Sequence, residues 1–177
     1  LLQSMDLEGE RALLLYPAGL DFIAAFFGCL YAGVVAVPAY PPRRNRSLNR
    51  VEAIVGDAEA KVALTTGEVL ARVQTVLDDT PELKAIHWLA TDTPTPNAES
   101  QWRVPDVHGD TLAFLQYTSG STGEPKGAMC EHAGLLNHLY AKIDDLRMSQ
   151  LIGLRFASDE EVVDLARRAF RGELAGS

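Results

Sequence analysis

Apolar residues follow two alternating patterns along the first ninety positions of the chain. Near-continuous apolar runs, typical of strands buried in a parallel sheet, occupy residues 11–16, 34–37, 62–65 and 85–89. Between the runs, apolar residues recur every three or four positions, which predicts helices at residues 21–33, 47–57 and 66–77. Pro38 and Pro81 are expected to end the second strand and the third helix. The alternation predicts an α/β fold, with a parallel sheet flanked by helices.

Residues 22–40 contain no charge over about the length of a membrane-spanning helix. Gly28, Gly33 and Pro38 interrupt this segment. A buried helix followed directly by a buried strand gives the same apolar run. We therefore expect a helix and a strand of the α/β layer here, and no membrane span.

A further apolar run, residues 112–116, leads into a segment rich in glycine and hydroxyl groups. Residues 117–127 read Tyr-Thr-Ser-Gly-Ser-Thr-Gly-Glu-Pro-Lys-Gly. Glycine lets backbone N–H groups approach an anion, hydroxyls add donors, and lysine supplies a positive charge. This composition after a parallel strand predicts a phosphate-binding loop at the edge where α/β sheets bind ligands. A flexible Ser/Gly linker is less consistent with the patterned segments on both sides.

This segment differs from the P-loop of nucleotide-binding proteins. Pro125 stands where the P-loop requires its second glycine, and Gly127 rather than a hydroxyl residue follows Lys126. Beyond the segment, residues 133–146 carry apolar side chains at helical spacing. His132 at the start of that predicted helix could face a bound ligand.

Composition narrows the classes of partner and compartment. The 177 residues carry a formal net charge of −8, and a field of that sign repels nucleic acid and anionic membranes. Cys29 and Cys130 are the two cysteines, and no pair has metal-ligand spacing. The N-terminal residues lack the basic stretch of a signal or transit peptide. We expect a cytoplasmic protein that binds neither nucleic acid nor a metal of its own.

Residues 117–127 resemble the signature loop of the adenylate-forming superfamily, which includes acyl-CoA synthetases, fatty acyl-AMP ligases and the adenylation domains of nonribosomal peptide synthetases. The resemblance covers residues 8–148. The stretches that look most like fatty acyl-AMP ligases are residues 19–23, 37–43, 57–58 and 114–117. Residues 137–146 look more like an amino-acid-activating domain.

The resemblance implies a partial N-terminal domain of an enzyme that uses ATP and Mg²⁺ to convert a carboxylic acid to an acyl-adenylate. It assigns Lys126 to catalysis, where it offsets the charge of the leaving group. The residues it assigns to the phosphates are Thr118, Ser119, Gly120, Ser121, Thr122, Gly123 and Lys126. Coenzyme A or an acyl carrier protein would accept the acyl group.

The resemblance divides the chain into residues 1–148, a partial AMP-binding domain, and residues 149–177, an unrelated or aberrant helical tail. Because the residues of the superfamily's substrate pocket and second domain are not in this sequence, we expect no adenylation by the chain alone. The alternatives are a piece of an amino-acid-activating adenylation domain, a non-catalytic remnant that binds a nucleotide or a partner, and an unrelated α/β protein.

Overall fold

The computed structural model describes residues 1–41, 48–75, 77, 80–93, 98–119 and 125–140. In this part of the chain, six strands form one sheet in the order β4-β3-β1-β2-β5-β6. The strands are β1 (Arg11–Leu15), β2 (Val35–Ala39), β3 (Val62–Thr65), β4 (His87–Ala90), β5 (Leu112–Ser119) and β6 (Pro125–Glu131). Neighbouring strands are parallel except β6, which runs antiparallel to β5.

Helices connect most of the strands. They are α1 (Leu20–Ala32), α2 (Asn49–Ala58), α3 (Gly67–Gln74), α4 (Pro81–Ala85) and α5 (His132–Tyr140). The predicted α/β class with a mainly parallel, helix-flanked sheet is therefore confirmed. The predicted helix at residues 47–57 corresponds to α2, and its predicted first residue, Ser47, lies outside the described residues.

The strand order places helices on both faces of the sheet. The chain moves one way from β1 to β2 and then crosses back over β1 to reach β3. Because parallel crossovers are right-handed, α1 covers one face while α2 and α3 cover the other. Phe26 of α1 meets Phe114 of β5 edge to face, with ring centroids 5.5 Å apart.

Alternate strand residues build the core between the sheet and helices α2 and α3. Leu13, Val37 and Ala63 are fully buried in this cluster, together with Ile54 and Val69 from the helices. Their neighbours Ala12, Ala36 and Val62 are equally buried on the opposite face. Burial on both faces explains the unbroken apolar runs in the sequence.

Two prolines do not act as their positions suggested. Pro38 lies inside β2, level with Leu14 of β1. β2 pairs with β5 through Ala36 and Phe114, and no pairing of the second half of β2 with β5 is described. Because that half has no ladder of hydrogen bonds to donate to on this side, it can include proline, which has no N–H group. Pro81 begins α4 instead of ending the preceding helix, because the first helical N–H has no partner within the helix anyway.

The chain forms two compact units, Leu1–His132 and Ala133–Ser177. In the second unit the structure describes the remainder of α5, to Tyr140. The predicted boundary at residue 148 and the predicted helical tail lie outside the described residues. Within the described ranges, no helix is both long and apolar enough to cross a bilayer.

Candidate functional site

The described ends of the predicted phosphate loop belong to two paired strands of a β-hairpin. Its flanking residues are paired between strands, with Tyr117 opposite Gly127, Thr118 opposite Lys126, and Ser119 opposite Pro125. The sequence predicted one continuous loop from 117 to 127, whereas residues 117–119 and 125–127 are in strands β5 and β6. Strand β6 was not predicted, because its small and polar residues show no apolar alternation and most are exposed.

The paired residues that flank the predicted phosphate loop lie at the carboxyl edge of the parallel strands. Leu15 of β1 is level with Ala39 of β2 and Thr65 of β3. Ala36 is level with Phe114, so Tyr117 is level with Ala39. Thr118 and Lys126 therefore lie one position beyond the strand ends, at the edge where ligands of open α/β sheets bind.

Thr118 and Lys126 lie on the same face of the hairpin. Residues directly opposite in an antiparallel pair have Cβ atoms about 4.5–5.5 Å apart and project to one side of the sheet. Thr118 is half-buried and Lys126 is exposed. The structure thus brings a hydroxyl and a cation together, a combination able to bind a phosphate oxygen.

The other predicted phosphate-binding residues are less fully described. The backbone of Ser119 belongs to β5, and nothing is described of its side chain. Gly120, Ser121, Thr122 and Gly123 lie outside the described residues. Their roles stay predictions.

Tyr117 connects the hairpin to helix α2, a contact that the sequence analysis missed. Its hydroxyl donates a 2.5 Å hydrogen bond to Oδ2 of Asp57, in the last turn of α2. Burial, and then the adjacent Asp57 carboxylate, raise the pKa of Tyr117, so the hydroxyl remains a donor. No local pattern indicates this contact, because the two residues are 60 positions apart.

His132 lies at the opposite end of the hairpin. Leu112 pairs with Glu131, and the backbone N–H of His132 donates to the Thr111 carbonyl at 3.0 Å. From Leu112 to Thr118 the strand extends about 20 Å. The structure therefore does not bring His132 to the phosphate loop. Burial lowers the pKa of His132, which favours a neutral imidazole.

Other polar side chains at the same sheet edge have hydrogen-bond partners in neighbouring side chains or backbone groups. The buried Tyr16 hydroxyl lies 2.5 Å from Oγ1 of Thr91, and Oγ1 of Thr65 donates to the Leu15 carbonyl. Asp92 accepts from the backbone N–H of Gly67 through both carboxylate oxygens, at 3.1 and 3.0 Å. These groups stabilise the strand ends and the start of α3.

A mostly apolar cleft of about 660 Å³ lies beside α1. Ala25 and Tyr31 of α1 line it, with Leu2 from the segment before β1 and Trp102 from the segment between β4 and β5. The indole N–H of Trp102 donates to the Tyr31 carbonyl at 2.7 Å. The described residues contain no group of three acidic, histidine or cysteine side chains able to hold a metal ion.

Comparison with known proteins identifies the family. The AMP-binding enzyme family matches residues 2–162. The medium-chain-fatty-acid–[acyl-carrier-protein] ligase JamA of Moorena producens is 52% identical over 142 residues, covering 77% of this chain and 24% of that ligase. The long-chain-fatty-acid–AMP ligase FadD32 of Mycolicibacterium smegmatis is 34% identical over 146 residues, which cover 82% of this chain and 23% of FadD32.

Solved structures show the same relationship. The fatty acid AMP ligase from Legionella pneumophila superposes with a TM-score of 0.70 at 36% identity, covering 83% of this chain and 25% of that one. A structure of McyG A-PCP with phenylalanyl-adenylate has a TM-score of 0.67 at 22% identity, which shows a shared fold. This chain spans about a quarter of the length of these relatives. The sheet is that of the N-terminal domain of adenylate-forming enzymes, and the chain belongs to the AMP-binding enzyme family.

Proposed function

We propose that this chain forms the N-terminal α/β portion of a fatty acyl-AMP ligase and that its β5–β6 hairpin tip binds the phosphates of ATP. The carrying observation is the pairing of Thr118 with Lys126 just beyond the carboxyl ends of the parallel strands. The fatty acid substrate class follows the relatives above 30% identity, which are fatty-acid ligases. The amino-acid-activating alternative has support at 22% identity, enough for the fold alone.

In the proposed reaction, a carboxylate oxygen of the fatty acid bonds to the α-phosphorus of ATP. The bond from that phosphorus to the bridging oxygen breaks, pyrophosphate leaves, and an acyl-adenylate remains. Lys126 offsets the charge that develops on pyrophosphate. The hydroxyls of Thr118, Ser119, Ser121 and Thr122 orient the phosphates, while Gly120 and Gly123 let the backbone approach them.

The hairpin fits a nucleotide phosphate better than it fits a bare metal ion. Lys126 supplies a cation, and the described residues offer no cluster of metal ligands. We expect Mg²⁺ to arrive bound to the phosphates, an arrangement that suits a small ion that keeps several of its waters. The name of JamA favours an acyl carrier protein over coenzyme A as acceptor, and we place the reaction in the cytoplasm.

The first experiment is a calorimetric titration of the purified 177-residue chain with Mg·ATP. We expect Lys126→Ala to weaken binding about tenfold or more, because a charge-assisted contact to phosphate is lost. Lys61→Ala is the matched control. Lys61 is exposed and directly precedes β3, so it lies at the amino ends of the parallel strands, away from the hairpin residues assigned to phosphate. Equal affinities for Lys126→Ala and the unsubstituted chain would contradict the role of the lysine.

The second experiment tests catalysis. We expect no fatty-acid-dependent exchange of pyrophosphate into ATP by the 177 residues alone, because the chain spans about a quarter of its relatives. Measurable exchange would contradict this expectation. Reading the coding sequence on both sides of the segment decides whether a complete ligase contains it, and there Lys126→Ala should slow the exchange.

A further inference from the structure

Tyr117 is the last residue of β5 before the residues assigned to phosphate. Its side chain is 8% exposed and points toward α2, whereas Thr118 projects from the other face of the strand. The hydrogen bond to Asp57 therefore connects the position immediately before Thr118 to a helix. That helix is itself held against the sheet by buried Val51, Ile54 and Val55.

Gly127 makes room for the Tyr117 ring. A Cβ atom at position 127 would lie 2.9 Å from Cζ and 3.1 Å from the hydroxyl oxygen of Tyr117. An aromatic ring covering a cross-strand glycine also stabilises a strand pair. Any side chain at position 127 would displace the ring, and with it the hydroxyl that reaches Asp57.

Asp57 is poorly placed for stability alone. It lies in the last turn of α2, where the helix dipole disfavours a negative charge, and its side chain is exposed. The hydrogen bond from Tyr117 offsets this unfavourable placement of the carboxylate. Its specific consequence is geometric, because it fixes the Tyr117–Gly127 pair that directly precedes the Thr118–Lys126 pair.

We propose that Tyr117, Asp57 and Gly127 position the phosphate-binding hairpin, with Tyr117 acting through Thr118 and Lys126 without touching the nucleotide. This role rests on the proposed function of the hairpin. Small displacements of the groups that bind a reacting ligand strongly reduce their contribution to catalysis. Holding the end of β5 in a fixed position therefore has functional value.

The test compares Mg·ATP affinities of substituted 177-residue chains. Tyr117→Phe removes the hydroxyl and keeps the ring, and we expect it to raise the dissociation constant about three- to tenfold. Asp57→Ala, at an exposed position that should tolerate the change, is expected to do the same. Asp57→Asn keeps an oxygen acceptor and should stay within about twofold of the unsubstituted chain.

Tyr16→Phe is the matched control. It also removes a hydroxyl with a 2.5 Å partner at the same sheet edge, but that partner is Thr91, away from the hairpin. We expect unchanged Mg·ATP affinity for this variant. The double variant Tyr117→Phe/Asp57→Ala should bind no more weakly than either single variant, because both remove one interaction.

The outcomes separate the positioning role from the proposed function. If the unsubstituted chain binds Mg·ATP while Tyr117→Phe and Asp57→Ala bind equally well, the positioning role is wrong and the phosphate site stands. The same holds if Tyr16→Phe weakens binding as much as Tyr117→Phe. If the unsubstituted chain shows no saturable binding, the proposed function fails, and the role of Tyr117 fails with it.

Discussion

Gly33 shows how a single residue determines the course of the chain. It ends α1 with φ at 69°, a left-handed conformation that costs other residues about 1–2 kcal/mol. Its N–H donates to the Leu30 carbonyl, and the N–H of Val34 donates to the Cys29 carbonyl, which satisfies two of the last four carbonyls of the helix. The turn delivers the chain directly into β2.

We predict that Gly33→Ala lowers the free energy of unfolding by about 2 kcal/mol or more. The new Cβ would lie 2.9 Å from Cβ of Pro105, in addition to the backbone strain. Gly28→Ala is the control, because Gly28 is inside α1 with nothing within 4 Å of an added Cβ. It should stabilise the chain by about 0.5–1 kcal/mol. Urea denaturation measures both, and equal midpoints would contradict the prediction.

At the scale of elements, the first turn of α3 has N–H groups with no partner inside the helix, and two side chains accept hydrogen bonds from them. Oγ1 of Thr66 accepts from the N–H of Val69 at 3.3 Å, the contact expected of a threonine that directly precedes a helix. Asp92, from the segment after β4, accepts from Gly67 and places a negative charge at the positive end of the helix. The Thr66 cap can be inferred from the local sequence, whereas the contact of Asp92 with Gly67 depends on the folded structure, which brings the two residues together.

We predict that Thr66→Ala destabilises the chain by about 1 kcal/mol, because the N–H of Val69 loses its acceptor. Amide hydrogen exchange should accelerate most in the first turn of α3. Thr66→Ser keeps the acceptor and should restore protection. Thr75→Ala, at the other end of the helix, removes a hydroxyl that donates to Arg72 and should have a smaller effect. Unchanged exchange in Thr66→Ala would show that Asp92 alone suffices.

At the scale of the whole molecule, the described part of the sheet ends in β6, an outer strand with exposed residues on both faces. Met129 in this strand is 73% exposed. An exposed outer strand offers unpaired backbone groups to another chain. The residues aligned with the relatives cover about a quarter of each of them, so most of each relative is additional chain.

We predict that the 177-residue chain self-associates through β6 and that Met129→Lys reduces this association, because charge on an outer strand opposes pairing. Light scattering after gel filtration, over a range of protein concentration, measures the mass. Val104→Lys is the control, since Val104 is 80% exposed but lies outside the strands. A constant monomer mass for the unsubstituted chain would contradict the prediction.

The sequence by itself determined the succession of strands and helices as far as β5, except for α4, and the phosphate-loop composition of residues 117–127. Both are local: burial on two faces leaves unbroken apolar runs, and anion binding requires particular residue types close together. Pro38 was expected to end β2 and Pro81 to end the helix before it, and both expectations were wrong. The effect of Pro38 depends on how the neighbouring strand β5 pairs, and that of Pro81 on the helix that begins there.

Only the tertiary structure decided the strand order, the pairing of β5 with β6 and the contact between Tyr117 and Asp57. These features join residues far apart in the chain, and helix crossovers determine which of them meet. The local pattern of apolar and polar residues does not indicate which distant residues come into contact. The residue types of the phosphate loop were therefore readable in the sequence, while the orientation of the strands that carry it depended on folding.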